Sequence, residues 1–314
     1  VVAAFCLLLF LLCFRMTKEK LHTVSKASVG SDLKSLLRNA PWWILIGAAI
    51  CSNLFSTVRG SVAAYFFNDV IGQNVNLNLG PFSFLFYAGL FLSIGEVSNM
   101  VGVALAVPFS EKFGKKSTYM LSFAALILFS ALFFYIPISQ GGYFWMLILQ
   151  VVISIFTGVI SPLVWSMYAD VSDFAENRDG TASTGLIFSS ASMAQKFGGA
   201  FGGFAVMWLL KAFGYNTSPG AVQTPESING LWLLMSWIPA AVAVIAVIVI
   251  FFYPLTRSRM CDIQDALAVK RENDMTARPD TQETEESSSN LWKGLPKVMR
   301  WVLVILAVIL ALEL

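Results

Sequence analysis

Continuous apolar stretches of about 20–28 residues recur along this 314-residue chain, and they limit its fold more than any other feature. Each is long enough to cross a hydrocarbon core of about 30 Å as a helix. In lipid a backbone must satisfy its own N–H and C=O groups, which leaves only helices and closed barrels. Barrel strands would read as short alternating segments, and these runs do not alternate. Charged residues make up 13% of the chain, against roughly a quarter in soluble domains. The expected class is all-α, a polytopic membrane protein.

Spans are expected near 1–14, 42–68, 82–109, 118–138, 143–169, 184–211, 230–254 and 298–314. The first opens on Val1-Val2, already apolar, and is too short to cross, so it reads as the end of a truncated helix. The loops set the orientation. Segment 15–41 carries Arg15, Lys18, Lys20, Lys26, Lys34 and Arg38, loop 110–117 carries Lys112, Lys115 and Lys116, and Arg257 and Arg259 follow the span ending at 254. Loops 69–81, 139–142 and 212–229 carry no lysine or arginine. Basic loops stay in the cytoplasm, so the six helices between 42 and 254 begin and end there. Such a set of six is what one half of a two-half transporter presents, though other six-span proteins share the pattern.

Beyond 254 the character changes. Met260, Ile263 and Leu267 recur at helical spacing among charges, as in a short amphipathic helix on the membrane surface. Residues 273–290 are rich in Thr, Glu and Ser and read as a disordered linker. The run 298–314 is either an extra helix or a second truncation.

His22 is the only histidine, and Cys6, Cys13, Cys51 and Cys261 lack metal-ligand spacing. Triad and zinc chemistry are therefore not expected, and neither is a metal, a cofactor or a nucleic-acid partner.

Three helices carry polar stripes at about 100° per residue: Ser189, Ser192, Lys196, Gly199 and Gly203; Gly89, Ser93, Glu96 and Asn99; and Ser52, Ser56 and Arg59. Charge inside a membrane is costly, so these faces are expected to look into a bundle or cavity. Glu96 and Lys196 lie at similar depth and either pair with each other or serve partners elsewhere; Gln195 sits beside the lysine. A purely structural lock between helices is the alternative. The glycines Gly198, Gly199, Gly202 and Gly203 form two overlapped G-x-x-x-G patterns, whose ordinary meaning is close helix packing.

Asp170, Asp173 and Glu176 follow one another at spacings of three where span 143–169 ends. Acid on a face that should be basic implies a specific partner, with Lys112, Lys115, Lys116 and Arg178 nearest in sequence. A gate, a binding site and a solvated acidic loop are the three readings. Trp165 and Tyr168, just before the acids, read as interfacial anchors or as a sugar-stacking surface.

The run Trp165-Ser-Met-Tyr-Ala-Asp170-Val-Ser-Asp173-Phe-Ala-Glu176, with Gly180, Gly185 and Lys196-Phe-Gly-Gly, resembles the glycoside–pentoside–hexuronide:cation symporters, the melibiose permease family of the major facilitator superfamily. The turn Glu111-Lys112-Phe113-Gly114-Lys115-Lys116 is similar to the basic turn of a facilitator half. The resemblance covers about 1–272. It implies a carboxy-terminal half: the end of helix six at 1–14, an inter-half loop at 15–41 and a six-helix bundle at 42–254; the amphipathic helix and linker at 255–297 and the span at 298–314, read from the sequence above, complete the expected layout.

The resemblance also implies cation-coupled uptake of a sugar or glycoside across the bacterial inner membrane, with sodium or a proton as coupling ion. Lys196, with Gln195, Ser192, Glu96, Asn99 and Arg59, would belong to the cavity and coupling site; Asp170, Asp173, Glu176, Arg178, Lys112, Lys115 and Lys116 would form the cytoplasmic gate. The partners implied are the substrate, the cation, the bilayer and an amino-terminal half that supplies the cation-binding carboxylates. One departure stands out: the family's arginine after the glycine near 180 is Ala182 here, with Arg178 on the other side. Animal lysolipid carriers resemble the same family, and a non-transporting scaffold is the reading from another class.

Overall fold

The computed structural model describes residues 9–10, 12–13, 29–72, 75–79, 82–179, 184–218 and 220–276. Most of the span expected at 1–14, the span at 298–314, the linker beyond 276 and Ala182 lie outside the described residues. Two compact units are present, Val1–Ile263 and Gln264–Leu314, and the first holds the bundle.

That unit opens with a short helix α1 (Val29–Leu37), followed by α2 (Ala40–Phe66), which runs on into a π-helical turn at Phe67–Ile71. Asn39 caps α2, its side chain accepting from Trp42 N at 3.3 Å, and Pro41 occupies the first turn, where a missing N–H costs nothing. Strands β1 (Val75–Leu79) and β2 (Phe82–Phe86) then pair antiparallel, with Leu77 opposite Phe84. The helices α3 (Ala88–Phe113), α4 (Lys115–Phe133), α5 (Gln140–Asp179) and α6 (Thr184–Ala212) follow. The last span is broken into α7 (Pro225–Met235) and α8 (Trp237–Phe251), and α9 (Arg257–Thr276) closes the described chain.

Among the described residues, five segments are long and apolar enough to cross a membrane: Ala40–Ile71, Ala88–Phe113, Lys115–Phe133, Gln140–Asp179 and Pro225–Phe251. Helix α6, at 29 residues, is long enough but is diluted by Gln195, Lys196 and its glycines and serines. The protein is an all-α polytopic membrane protein, and among the described residues β1 and β2 form its one small sheet.

Several limits differ from the sequence reading. The span expected from 82 starts at Ala88, because Phe82–Phe86 pairs with the alternating Val-Asn-Leu-Asn-Leu of β1. Strand pairing overrides the apolar continuity that suggested a helix. The span placed at 118–138 is Lys115–Phe133. The one placed at 143–169 reaches Asp179, so Asp170, Asp173 and Glu176, which lie beyond the expected end, are all helical. At about 1.5 Å per residue, its 40 residues extend well past a hydrocarbon core. The segment expected as the 15–41 loop contains α1.

Small residues set the packing. A Cβ on Gly102 of α3 would fall 2.0 Å from Ile155 O, and one on Gly158 of α5 would fall 2.1 Å from Asn99 O, so these two backbones touch. Gly198 and Gly202 of α6 press on Asn53, Ile50 and Thr57 of α2 in the same way. Gly114, with φ of 82°, turns the chain sharply between α3 and α4 in a conformation that other residues adopt only with strain. Near the hairpin an aromatic core forms from Phe66, Phe67, Phe86, Phe91 and Phe133, all at most 2% exposed. At that end Tyr215 donates to Asp69 Oδ2; burial, then this hydrogen bond to an anion, push its phenol above the usual range.

Candidate functional site

A cavity of about 120 Å³ opens between α2, α3, α5 and the end of α7. Ser56 and Arg59 line it from α2, Glu96 and Asn99 from α3, and Gln150, Ser154 and Thr157 from α5. Glycine places the α5 polar row here: Gly95 leaves room for Gln150, whose Nε2 would lie 2.7 Å from any Cβ at that position.

Arg59 is the buried charge of the cavity, 6% exposed, and Gln150 and Ser154 are buried beside it. Its Nη1 donates to Met235 O at 2.6 Å and its Nη2 to Gln150 Oε1 at 2.9 Å, while the guanidinium lies 5.3 Å from the centre of the Phe133 ring. Met235 O is available for a local reason. Its helical donor would be the amide four residues on, and that residue is Pro239, which has no N–H. The break between α7 and α8 thus supplies an acceptor at the cavity wall.

Of the six residues expected in the cavity, the structure brings together Arg59, Glu96 and Asn99 and leaves out Lys196, Gln195 and Ser192. Helix α6 buries Ile187, Ala191, Ala194 and Gly198, which turns Ser189, Ser192 and Lys196 onto an exposed face. Glu96 is also exposed. The two ion pairs among the described residues are Lys115–Asp170 and Arg178–Asp179, so Glu96 and Lys196 are not paired with each other. Of the overlapped glycine patterns, Gly198 and Gly202 form the packed seam, whereas a Cβ on Gly203 would meet nothing within 4 Å.

The charged end of the bundle is more specific than the sequence indicates. Lys115 Nζ reaches both oxygens of Asp170, at 2.7 and 2.8 Å, and the Asp170 side chain is only 7% exposed. Lys116 meets no acid there; it donates at 2.7 Å to the carbonyls of Phe251 and Tyr253 and so ties α4 to the end of α8. Lys112 is exposed and lies over the Phe113 ring. Arg178 pairs with its neighbour Asp179 at 2.7 Å rather than with Asp170, and also donates to Ser35 O at 3.1 Å. Ser35 Oγ in turn donates to Asp179, so α1 is clasped to the end of α5. Asp173 and Glu176 are half-buried along the same helix. Trp165 stacks on Phe188 with planes 9° apart, and Tyr168 is fully buried, which removes it as an interfacial anchor.

The family model described as MFS/sugar transport protein matches residues 1–257. The chain belongs to this family. Within it, the chain is of the glycoside–pentoside–hexuronide:cation symporter type that its motifs resemble. It is 28% identical over 262 residues to the glucuronide carrier protein homolog of Escherichia coli K12, an alignment covering 82% of this chain and 53% of the relative. It is 28% identical over 274 residues to the putative glycoside/cation symporter YagG of the same organism, covering 87% of this chain and 56% of the relative. With the isoprimeverose transporter of Lactiplantibacillus pentosus the identity is 25% over 266 residues, covering 82% of this chain and 51% of the relative. The chain therefore spans about half the length of the curated relatives it matches. Membrane-length apolar helices and family membership together make it an integral membrane protein of the inner-membrane type.

For a member of this sugar-transport family, the residues that sequence reasoning missed are Gln150, Ser154 and Thr157 in the cavity, and Ser35 and Asp179 at the clasp. The first three were detectable. They recur at spacings of four and three in span 143–169, the same rule that marked the other polar stripes. Met235 contributes only its backbone, and no side-chain pattern marks it.

Proposed function

We propose that the intact protein is a secondary transporter that carries a sugar or glycoside together with sodium or a proton, and that this chain supplies one six-helix half. The observation that carries the reading is the membrane-embedded cavity in which Arg59, Glu96, Asn99 and Gln150 converge. A sugar presents a ring of hydroxyls, each a donor and an acceptor, and that set of amide, carboxylate and guanidinium groups can answer them. The relatives named as a glycoside/cation symporter and an isoprimeverose transporter support the substrate class.

In this reading no bond is made or broken, and the protein is not an enzyme. Two halves rock about a midplane site. The exposed face of α6, with Ser192, Gln195 and Lys196, turns toward the other half, and Lys196 balances the charge of a carboxylate there. The Lys115–Asp170 pair holds the charged end of this half closed in one state and releases it in the other, a role also open to Asp173 and Glu176. Counterflow of radiolabelled glycosides in proteoliposomes tests the reading. Sugar-dependent counterflow with a sodium or pH dependence is expected. A protein that exchanges no glycoside under either gradient is a scaffold or a carrier of something else.

A further inference from the structure

We infer that the recess between α1 and the end of α5 binds the head group of an anionic phospholipid, with Lys34 and Arg38 meeting its phosphate. The inference is independent of what the protein carries. The recess, of about 510 Å³, is lined by Lys34, Ser35 and Arg38 of α1 and by Arg178 and Asp179 of α5. Three cations thus face one carboxylate, and that carboxylate is already taken. Arg178 holds both its oxygens, at 2.8 and 2.7 Å, and Ser35 donates to it. Lys34 and Arg38 are exposed, and neither ion pair among the described residues includes them. Arg178 and Arg259 both lie over the Phe174 ring, at 5.7 and 6.0 Å from its centre, so a fourth cation stands close by. The other acids of α5 do not offset this charge. At about 100° per residue, Asp173 and Glu176 stand about 140° or more around the helix from Arg178, and Asp170 is held by Lys115. A phosphate, anionic and rich in acceptor oxygens, is what such a set recognises.

The surroundings favour a lipid over a soluble phosphate. Helix α1 buries Leu36 but leaves Leu33 and Leu37 about half exposed. Trp43, near the start of α2, is also about half exposed, and its Nε1 donates to Leu37 O at 3.0 Å. An exposed indole at the start of a span marks the head-group level of a bilayer. Arg38 lies just ahead of it in the chain, so the cations sit where lipid phosphates lie and the leucines where acyl chains begin. A charged face beside an apolar one matches an amphiphile, whereas a free phosphate would use only the first. The positive-inside rule puts this end of the bundle in the cytoplasm, the side on which basic recesses take anionic head groups. Bound there, the lipid bridges α1 to α5 alongside the contact between Ser35 and Asp179.

The test is native mass spectrometry of the intact protein in detergent. It is titrated with dioleoylphosphatidylglycerol, dioleoylphosphatidylcholine and glycerophosphoglycerol, the first lipid's head group without its chains. Phosphatidylglycerol is expected to bind about tenfold tighter than phosphatidylcholine, and at least about a hundredfold tighter than the soluble head group. Lys34→Gln/Arg38→Gln leaves the Arg178–Asp179 pair in place and should weaken phosphatidylglycerol about tenfold while phosphatidylcholine is unchanged. Lys34→Arg keeps the charge and should bind as the unmodified protein does. Lys211→Gln/Lys270→Gln removes as much charge from other exposed positions and should shift neither lipid by more than about twofold. Equal binding of the two lipids, or a phosphatidylglycerol affinity indifferent to Lys34→Gln/Arg38→Gln, overturns the proposal. Glycerophosphoglycerol binding as tightly as the lipid overturns it as well, because the recess would then be a site for a soluble anion.

Discussion

Arg59 donates from Nη1 to the carbonyl oxygen of Met235 at 2.6 Å, across the junction where α7 gives way to α8. The bond joins two consequences of composition: a charged residue in an apolar span needs acceptors, and a proline four residues beyond Met235 leaves one unclaimed. Neither residue explains the other in sequence, where they stand 176 positions apart.

Arg59→Leu strands two buried acceptors and is expected to cost about 2–3 kcal/mol. Adding Pro239→Ala restores an N–H to Met235 O, so the double variant should lose less than the two single effects summed. A double-mutant cycle read by unfolding in detergent measures that coupling. Strict additivity would show that the carbonyl is not the shared partner.

Gly102→Val and Gly158→Val drive side-chain atoms into backbone that lies 2.0 and 2.1 Å from an ideal Cβ. Each is expected to destabilise by roughly 3 kcal/mol or more, beyond ordinary overpacking, because backbone cannot yield as a rotamer does. Gly203→Ala meets nothing and should be neutral or slightly stabilising in its helix. Thermal melting of the three purified variants separates these outcomes.

Lys115→Ala leaves the Asp170 carboxylate buried without its cation, at an expected cost of about 3 kcal/mol. The double variant Lys115→Ala/Asp170→Asn removes the charge as well and should recover much of that loss. Chemical denaturation of both variants checks the order; a double variant no more stable than the single would mean the pair carries no net burial penalty.

At the clasp the expected energies are small, since Arg178 and Asp179 are both exposed. Asp179→Ala should change global stability by no more than about 1 kcal/mol. It should nonetheless speed hydrogen exchange of the amides in 29–37 several-fold, because Ser35 and Arg178 lose their common partner. Unchanged exchange there would mean that α1 is held by its apolar contacts alone.

Residue order by itself determined the membrane class, the helical segments and the polar stripes on which Arg59, Glu96 and Asn99 were found. These follow from periodicity and from the cost of bare backbone and charge in lipid, which act locally along the chain. It also pointed to Lys115 as a partner for the acids, though not to Asp170 alone among them. The tertiary structure decided the rest. Which face of α6 is buried depends on Gly198 and Gly202 meeting α2, so Lys196 stands outside the cavity that Arg59 lines. Phe82–Phe86 became a strand because β1 was there to pair with it. The carbonyl that holds Arg59 is set by a proline on a helix far away in sequence, and only packing brings that oxygen within 2.6 Å.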